Sequence, residues 1–184
     1  MADKEVTSFV IEVGPWMDHT SQGNKENDLQ IGLKYVRDIL IGKVMKGRKT
    51  DYVQGFANGT NESCDMRDHV VQLHEMKPPT FADVGKYDLA VNEKEVEDDL
   101  IMASLLGSLE MFNFTNKKKF KKNLIIVTNS GKLSSSLNEK DVLDQMVDFL
   151  NENSVKMIVV GVDFDDSDSN ASVVQAWREL VSRV

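Results

Sequence analysis

Cysteine is nearly absent from this chain: Cys64 is the only one in 184 residues. That excludes an internal disulfide framework and a cysteine-rich zinc site. No apolar run approaches the ~18–20 residues of a membrane-spanning helix. The opening Met1-Ala-Asp-Lys-Glu5 has no basic segment leading into an apolar one, so no secretory signal is expected. The Asn-x-Ser/Thr matches at Asn58, Asn61, Asn113 and Asn170 then read as chance matches in an intracellular protein. Basic residues are also in deficit, 22 against 30 acidic ones, for a net charge of −8. Such a balance argues against the domain alone gripping a phosphate backbone. What is present is 41% hydrophobic and 28% charged residues, the composition of one soluble globular domain over residues 1–184 rather than a disordered tail.

Periodicity then sets the element order. Val6–Val13 is a mostly apolar, β-branched run ended by Gly14-Pro15, and reads as a buried strand. From Lys25 to Lys46, Leu29, Leu33, Val36, Leu40 and Val44 recur at helical spacing, with Gly47 as the C-terminal cap. Thr50–Ala57 and His69–Leu73 read as strands that can form an antiparallel edge hairpin, with an irregular stretch from Pro78 to about Ala90. Glu95–Phe114 is a helical window whose apolar stripe (Val96, Leu100, Ile101, Leu105, Leu109, Phe112), widened by Leu106 and Met111, implies a well-covered helix. Leu124–Thr128 and Lys156–Val162 are further buried strands. Asn138 with Asp141 resembles a capping box opening a helix to Glu152, and a last helix from Ala171 sets Val173, Val174, Trp177, Leu180 and Val181 on one side. The order β-α-β-β-α-β-α-β-α implies an α/β fold: a doubly wound, mostly parallel sheet with helices on both faces. A chain stopping just after a helix, where such a sheet often adds a strand, is expected to be an N-terminal piece of a longer protein.

In such a sheet ligands sit at the carboxyl ends of the strands. That places Ile11-Glu-Val-Gly-Pro-Trp-Met17 and Val127-Thr-Asn-Ser-Gly131 at the mouth. The first resembles the Asp-x-Ser-x-Ser loop of von Willebrand factor A-type domains, and the second their Thr-Asp-Gly loop. Together those loops hold a divalent cation through oxygen ligands. Here Glu12 stands for the first Asp, Gly14 and Trp16 for the two serines, and Asn129 for the second Asp. The expectation is a degenerate site, with no metal or cofactor held there and Glu12 hydrogen-bonded to nearby polar groups.

This opening, with the long helix and then Gly47-Arg-Lys-Thr-Asp-Tyr-Val53, also resembles the N-terminal domain of the larger Ku subunit in a fungal-like form, from Thr7 to about Val181. The resemblance implies a non-catalytic docking domain in a heterodimer with the smaller Ku subunit. That complex encircles DNA ends, acts in non-homologous end joining and telomere maintenance, and is nuclear, including telomeric chromatin. It further implies repair and telomere or silencing factors as peptide partners, and no membrane. An exposed helix of the domain would recruit them. The acidic residues Glu139, Asp144, Asp148 and Glu152 are the candidate partner surface, with the last helix as the alternative.

Other constellations carry less. Lys117, Lys118, Lys119, Lys121 and Lys122 around Phe120 are a candidate peripheral DNA contact or a solvated loop. Gly42–Thr50 resembles a phosphate loop, but Arg48 interrupts the motif and its helix-then-strand context is reversed, so no ATPase site is expected. His69 and His74 fall on opposite strand faces, and His19 beside Asp18 reads as a surface pair. Asp163–Asp168 lacks the glycine and terminal glutamate of a calcium loop. The rival readings are the A-type domain of a proteasomal ubiquitin receptor and a nucleotide-binding α/β enzyme, for which Gly14-Pro15-Trp16 is a poor glycine loop.

Overall fold

The computed structural model describes residues 4–20, 23–65, 67–97, 99–116, 118–129, 139–164 and 171–184. The apolar runs form the strands β1 (Glu5–Glu12), β2 (Asp51–Asn58), β3 (Val70–Lys77), β4 (Lys121–Asn129) and β5 (Val155–Val162). They make one five-stranded sheet in the order β3-β2-β1-β4-β5. All neighbours are parallel except β2 and β3, which form the expected antiparallel hairpin at one edge. A parallel sheet needs cover on both faces, and β1 and β4 are buried along most of their length.

Helices α1 (Asp28–Lys46) and α2 (Phe81–Gly85) cover one face. Leu29, Leu33, Val36 and Leu40 of α1 meet Phe9, Ile11, Ile125 and Val127 there. Helices α3 (Leu100–Thr115), α4 (Lys140–Glu152) and α5 (Ala171–Arg183) belong to the other, where Val6, Val10, Leu124 and Ile126 meet Met111, Met146, Leu150 and Trp177. Each such fully buried side chain contributes about 1.5–3 kcal/mol. Gly47 ends α1 at φ 59°, the left-handed cap expected of it.

Several sequence expectations change. The stretch after Pro78 contains α2, capped by Thr80 and Asp83, and a 3-10 turn at Pro15–Asp18 follows β1. Helix α3 starts at Leu100, not Glu95, because the Asp99 carboxylate accepts from Ile101 N (3.0 Å) and Met102 N (3.2 Å) and so fixes the N-terminus. Its buried side keeps only part of the apolar stripe: Leu100, Ile101 and Met111 enter the core, beside small residues. Ala103, Ser104, Gly107 and Ser108 face inward, while Leu109 is 44% exposed. A Cβ on Gly107 would lie 2.6 Å from Ser8 Oγ, so only glycine permits this approach. Ser104 and Ser108 donate to carbonyls one turn back, and Gln54 Nε2 on β2 donates to Ser8 Oγ (3.0 Å) and to Gly107 O (2.8 Å). Val181 on α5 is exposed rather than packed, and the N-cap of α4 is Glu139, whose side chain makes no capping bond. Asn138, expected there, lies outside the described residues.

Candidate functional site

Adjacent parallel strands end together, so β1 and β4 bring Glu12, Thr128 and Asn129 to one point at the centre of the sheet. All three are buried. Thr128 Oγ1 donates to Glu12 Oε2, the kind of internal hydrogen bond expected of Glu12. A Cβ on Gly14 would lie 2.2 Å from the Trp16 indole, so the ring rests on the Gly14 backbone. The loss of both serines is therefore one packing event: a side chain at position 14 collides with the ring at position 16. Asn129 is likewise committed. Its Nδ2 donates to Trp16 O (2.8 Å) and to Asp28 Oδ2 (2.8 Å), neither of which a carboxylate could satisfy. Ser130 and Gly131 lie outside the described residues.

Asp28 had no sequence-level role. It is the first residue of α1 and is fully buried. Asn27 caps the helix, accepting from Gln30 N (2.9 Å) while its own N–H reaches Gln30 Oε1 (3.1 Å). A carboxylate in this first turn faces the positive end of the helix dipole. His19 joins it. The Asp28 N–H donates to His19 O (2.9 Å), and His19 Nδ1 lies 3.4 Å from both Asp28 Oδ2 and Asp163 Oδ2. The expected His19–Asp18 pair does not form; Asp18 instead accepts from Asn27 Nδ2 (2.9 Å). Asp163 follows β5 at φ 58°, and residues 165–168 of its acidic loop lie outside the described residues. The cue available in sequence was Asn27-Asp-Leu-Gln30, a capping box that puts Asp28 at the mouth.

The opposite end of the sheet is basic. Lys4, Lys118, Lys119, Lys121 and Lys122 line a cleft of about 550 Å³ together with Phe112 and Phe120. Lys122 is partly spent, donating to Asn153 O (2.7 Å), and Lys4 Nζ sits 5.6 Å from the Phe120 ring centre. Lys117 lies outside the described residues. On α4, Glu139, Asp148 and Glu152 are exposed, but Asp144 is ion-paired with Arg183 of α5, and Glu152 borders the basic cleft.

The two histidines do not share a strand, so the expected opposite-face placement does not apply. His69 precedes β3, while His74 is buried, with Nδ1 3.1 Å from Glu75 O and Nε2 2.9 Å from the Tyr87 hydroxyl. A carbonyl at one nitrogen and a hydroxyl donor at the other suit a neutral ring. Burial lowers the His74 pKa and pushes the Tyr87 hydroxyl far up, so Tyr87 remains the donor. Burial opposes ionisation of Asp83, yet hydrogen bonds from Lys77 and Thr80 hold its carboxyl well below the usual range. Gly42 lies inside α1 and Gly47 caps it, so the Gly42–Thr50 segment offers no amides converging at a helix N-terminus.

The arrangement has counterparts. A crystal structure of the SpRpn10 VWA domain superposes with a TM-score of 0.65 over 97% of this chain and 81% of that one, at 12% identity. That likeness shows the von Willebrand A-type fold alone. Proteins named ATP-dependent DNA helicase II subunit 2 align along most of the chain: 29% identical in Neurospora crassa (91% of this chain, 24% of that protein), 28% in Aspergillus oryzae (90% and 23%) and 27% in Schizosaccharomyces pombe (94% and 25%). The chain thus spans about a quarter of the length of these curated relatives. Residues 6–173 match the family described as the Ku70/Ku80 N-terminal alpha/beta domain, reaching from β1 into α5. The chain belongs to that family of Ku N-terminal domains.

Proposed function

We propose that this domain is a non-catalytic docking module of a Ku complex, acting beside a smaller Ku subunit in non-homologous end joining and telomere maintenance within the nucleus. The observation that carries the reading is the family match over residues 6–173, from the first strand into the last helix. The mouth of the sheet supports a role without cation chemistry at the A-type position: Trp16 lies on Gly14, and the Asn129 amide is committed to Trp16 O and Asp28. No glycine-rich phosphate cradle is present among the described residues, so the helicase name of the relatives is not carried over as an activity of this domain. Repair and telomere or silencing factors would dock as short peptides, with Glu139, Asp148 and Glu152 on α4 as the acidic contact surface. DNA ends would be held by the full heterodimer. Lys118, Lys119 and Lys121 would add at most a peripheral backbone contact, given a net charge of −8.

Co-purification of the full-length protein with a smaller Ku subunit, with and without added Mg²⁺, tests the reading. The expected result is a stable complex that retains repair or telomere peptides in both conditions. Peptide capture that requires Mg²⁺ would overturn the cation-independent mechanism, and failure to associate with a smaller subunit would overturn the proposal as a whole.

A further inference from the structure

We propose that His19, Asp28 and Asp163 form a binding site for a divalent transition-metal ion, zinc by ligand chemistry, separate from the degenerate A-type position and independent of the docking function. The three residues come from the 3-10 turn region, the start of α1 and the end of β5, and one ligand atom from each lies within 4.8 Å of the others. The separations from His19 Nδ1 to Asp28 Oδ2 and to Asp163 Oδ2 are both 3.4 Å. That is longer than a good hydrogen bond. It equals the edge of a tetrahedron with metal–ligand bonds of about 2.0–2.1 Å, the lengths zinc makes to imidazole nitrogen and carboxylate oxygen. Octahedral magnesium at about the same bond length would need an edge nearer 2.9 Å, and both magnesium and calcium prefer an all-oxygen set. One imidazole with two carboxylates is a three-ligand protein set that leaves a fourth position to water.

A second observation points to a ligand. Asp28 is fully buried, yet among the described residues its Oδ1 has no hydrogen-bond partner and His19 is the basic group within ion-pairing distance. A buried carboxylate with one oxygen unpartnered is costly, and a cation held at Oδ2, the oxygen that faces His19, offsets that cost by neutralising the carboxylate as a whole. The surroundings match those of metal ligands. Asn129 Nδ2 donates to Asp28 Oδ2 at 2.8 Å, orienting the carboxylate from behind, as outer hydrogen bonds orient ligands in metal sites. The Asp28 N–H to His19 O bond (2.9 Å) fixes the two residues against each other before any ion arrives. The His19 side chain is 56% exposed, so the ion has an open route in from solvent.

The test uses the purified chain, stripped with chelator and titrated with ZnCl₂ in a calorimeter, with Co²⁺ as a spectroscopic stand-in. The expected result is saturable binding of one ion per chain and intense visible absorption of tetrahedral Co²⁺. A melting temperature raised by roughly 5–10 °C is expected at about a hundredfold excess over the dissociation constant. His19→Ala, at an exposed position that leaves the core intact, and Asp163→Asn should each weaken binding at least about tenfold. Absence of saturable binding, or affinity unchanged in His19→Ala, would overturn the proposal, since the ion would then be held by other groups or by none.

Discussion

Replacing Asn129 by Asp restores the residue type that A-type domains use at this place, and the structure says it should harm this chain. The swap is nearly isosteric, so no cavity opens. The two donations from Nδ2, to Asp28 Oδ2 and to Trp16 O at 2.8 Å each, become oxygen facing oxygen. A hydrogen bond to a charged group contributes about 1.5–3 kcal/mol and a neutral one about 1. Two carboxylates at that separation would repel by about 6 kcal/mol at an effective dielectric constant of ~20. The introduced group will therefore take up a proton rather than bear the full repulsion. The net loss should be about 3–5 kcal/mol at pH 7.5, a large share of the roughly 5–15 kcal/mol that holds a domain together. Urea unfolding in the presence of chelator, followed by circular dichroism, measures it. The deficit should shrink by roughly 1–2 kcal/mol at pH 5, where a protonated carboxyl can donate again to Asp28. A loss under about 1 kcal/mol at pH 7.5 would refute the reasoning, because Asn129 would then not be the donor that holds the mouth together.

Two further outcomes follow from the hairpin edge. Because burial depresses the His74 pKa, the unfolded chain binds that proton first. Stability should be full above about pH 6.5 and fall below it by at most ~1.4 kcal/mol per pH unit, until the folded-state value is reached. His74→Gln should remove that part of the slope in urea titrations, and an unchanged slope would show the acid sensitivity to lie elsewhere. Gly55→Ala would place a methyl 2.0 Å from the Tyr87 hydroxyl and so strain the Tyr87–His74 bond. The expected cost is at least about 2 kcal/mol, read as a melting temperature lowered by roughly 4–8 °C, and a change below about 1 °C would contradict the packing described.

The fold was legible where one signal dominated. Short, mostly apolar and β-branched runs marked β1, β4 and β5, and Gly47 marked the end of α1. Helix α3 was legible in part: Leu100, Ile101 and Met111 are buried as their pattern suggests, whereas Leu109 is exposed and the small residues Ala103, Ser104, Gly107 and Ser108 share the buried face. Small residues give weak hydropathy signals even when they set the distance between two backbones. Of the mouth, Glu12, Gly14, Trp16 and Asn129 were found through adjacent motif positions. The grouping of His19 and Asp28 with Asp163 was not, because nothing local relates residues so far apart in sequence; the sheet order alone brings them together.

The bond from Gln54 to the Gly107 carbonyl gives α3 a keyed seat. A slide by one residue or a rotation by one face would break it and drive a larger side chain into Ser8. The inner and outer sides of this helix are thus separable engineering problems. Substitutions at Ser104, Gly107 or Ser108 act on whether the sheet is covered at all. Those at Leu109 alter the outer surface of a helix whose position is already fixed, so solubility can be tuned there without touching the architecture.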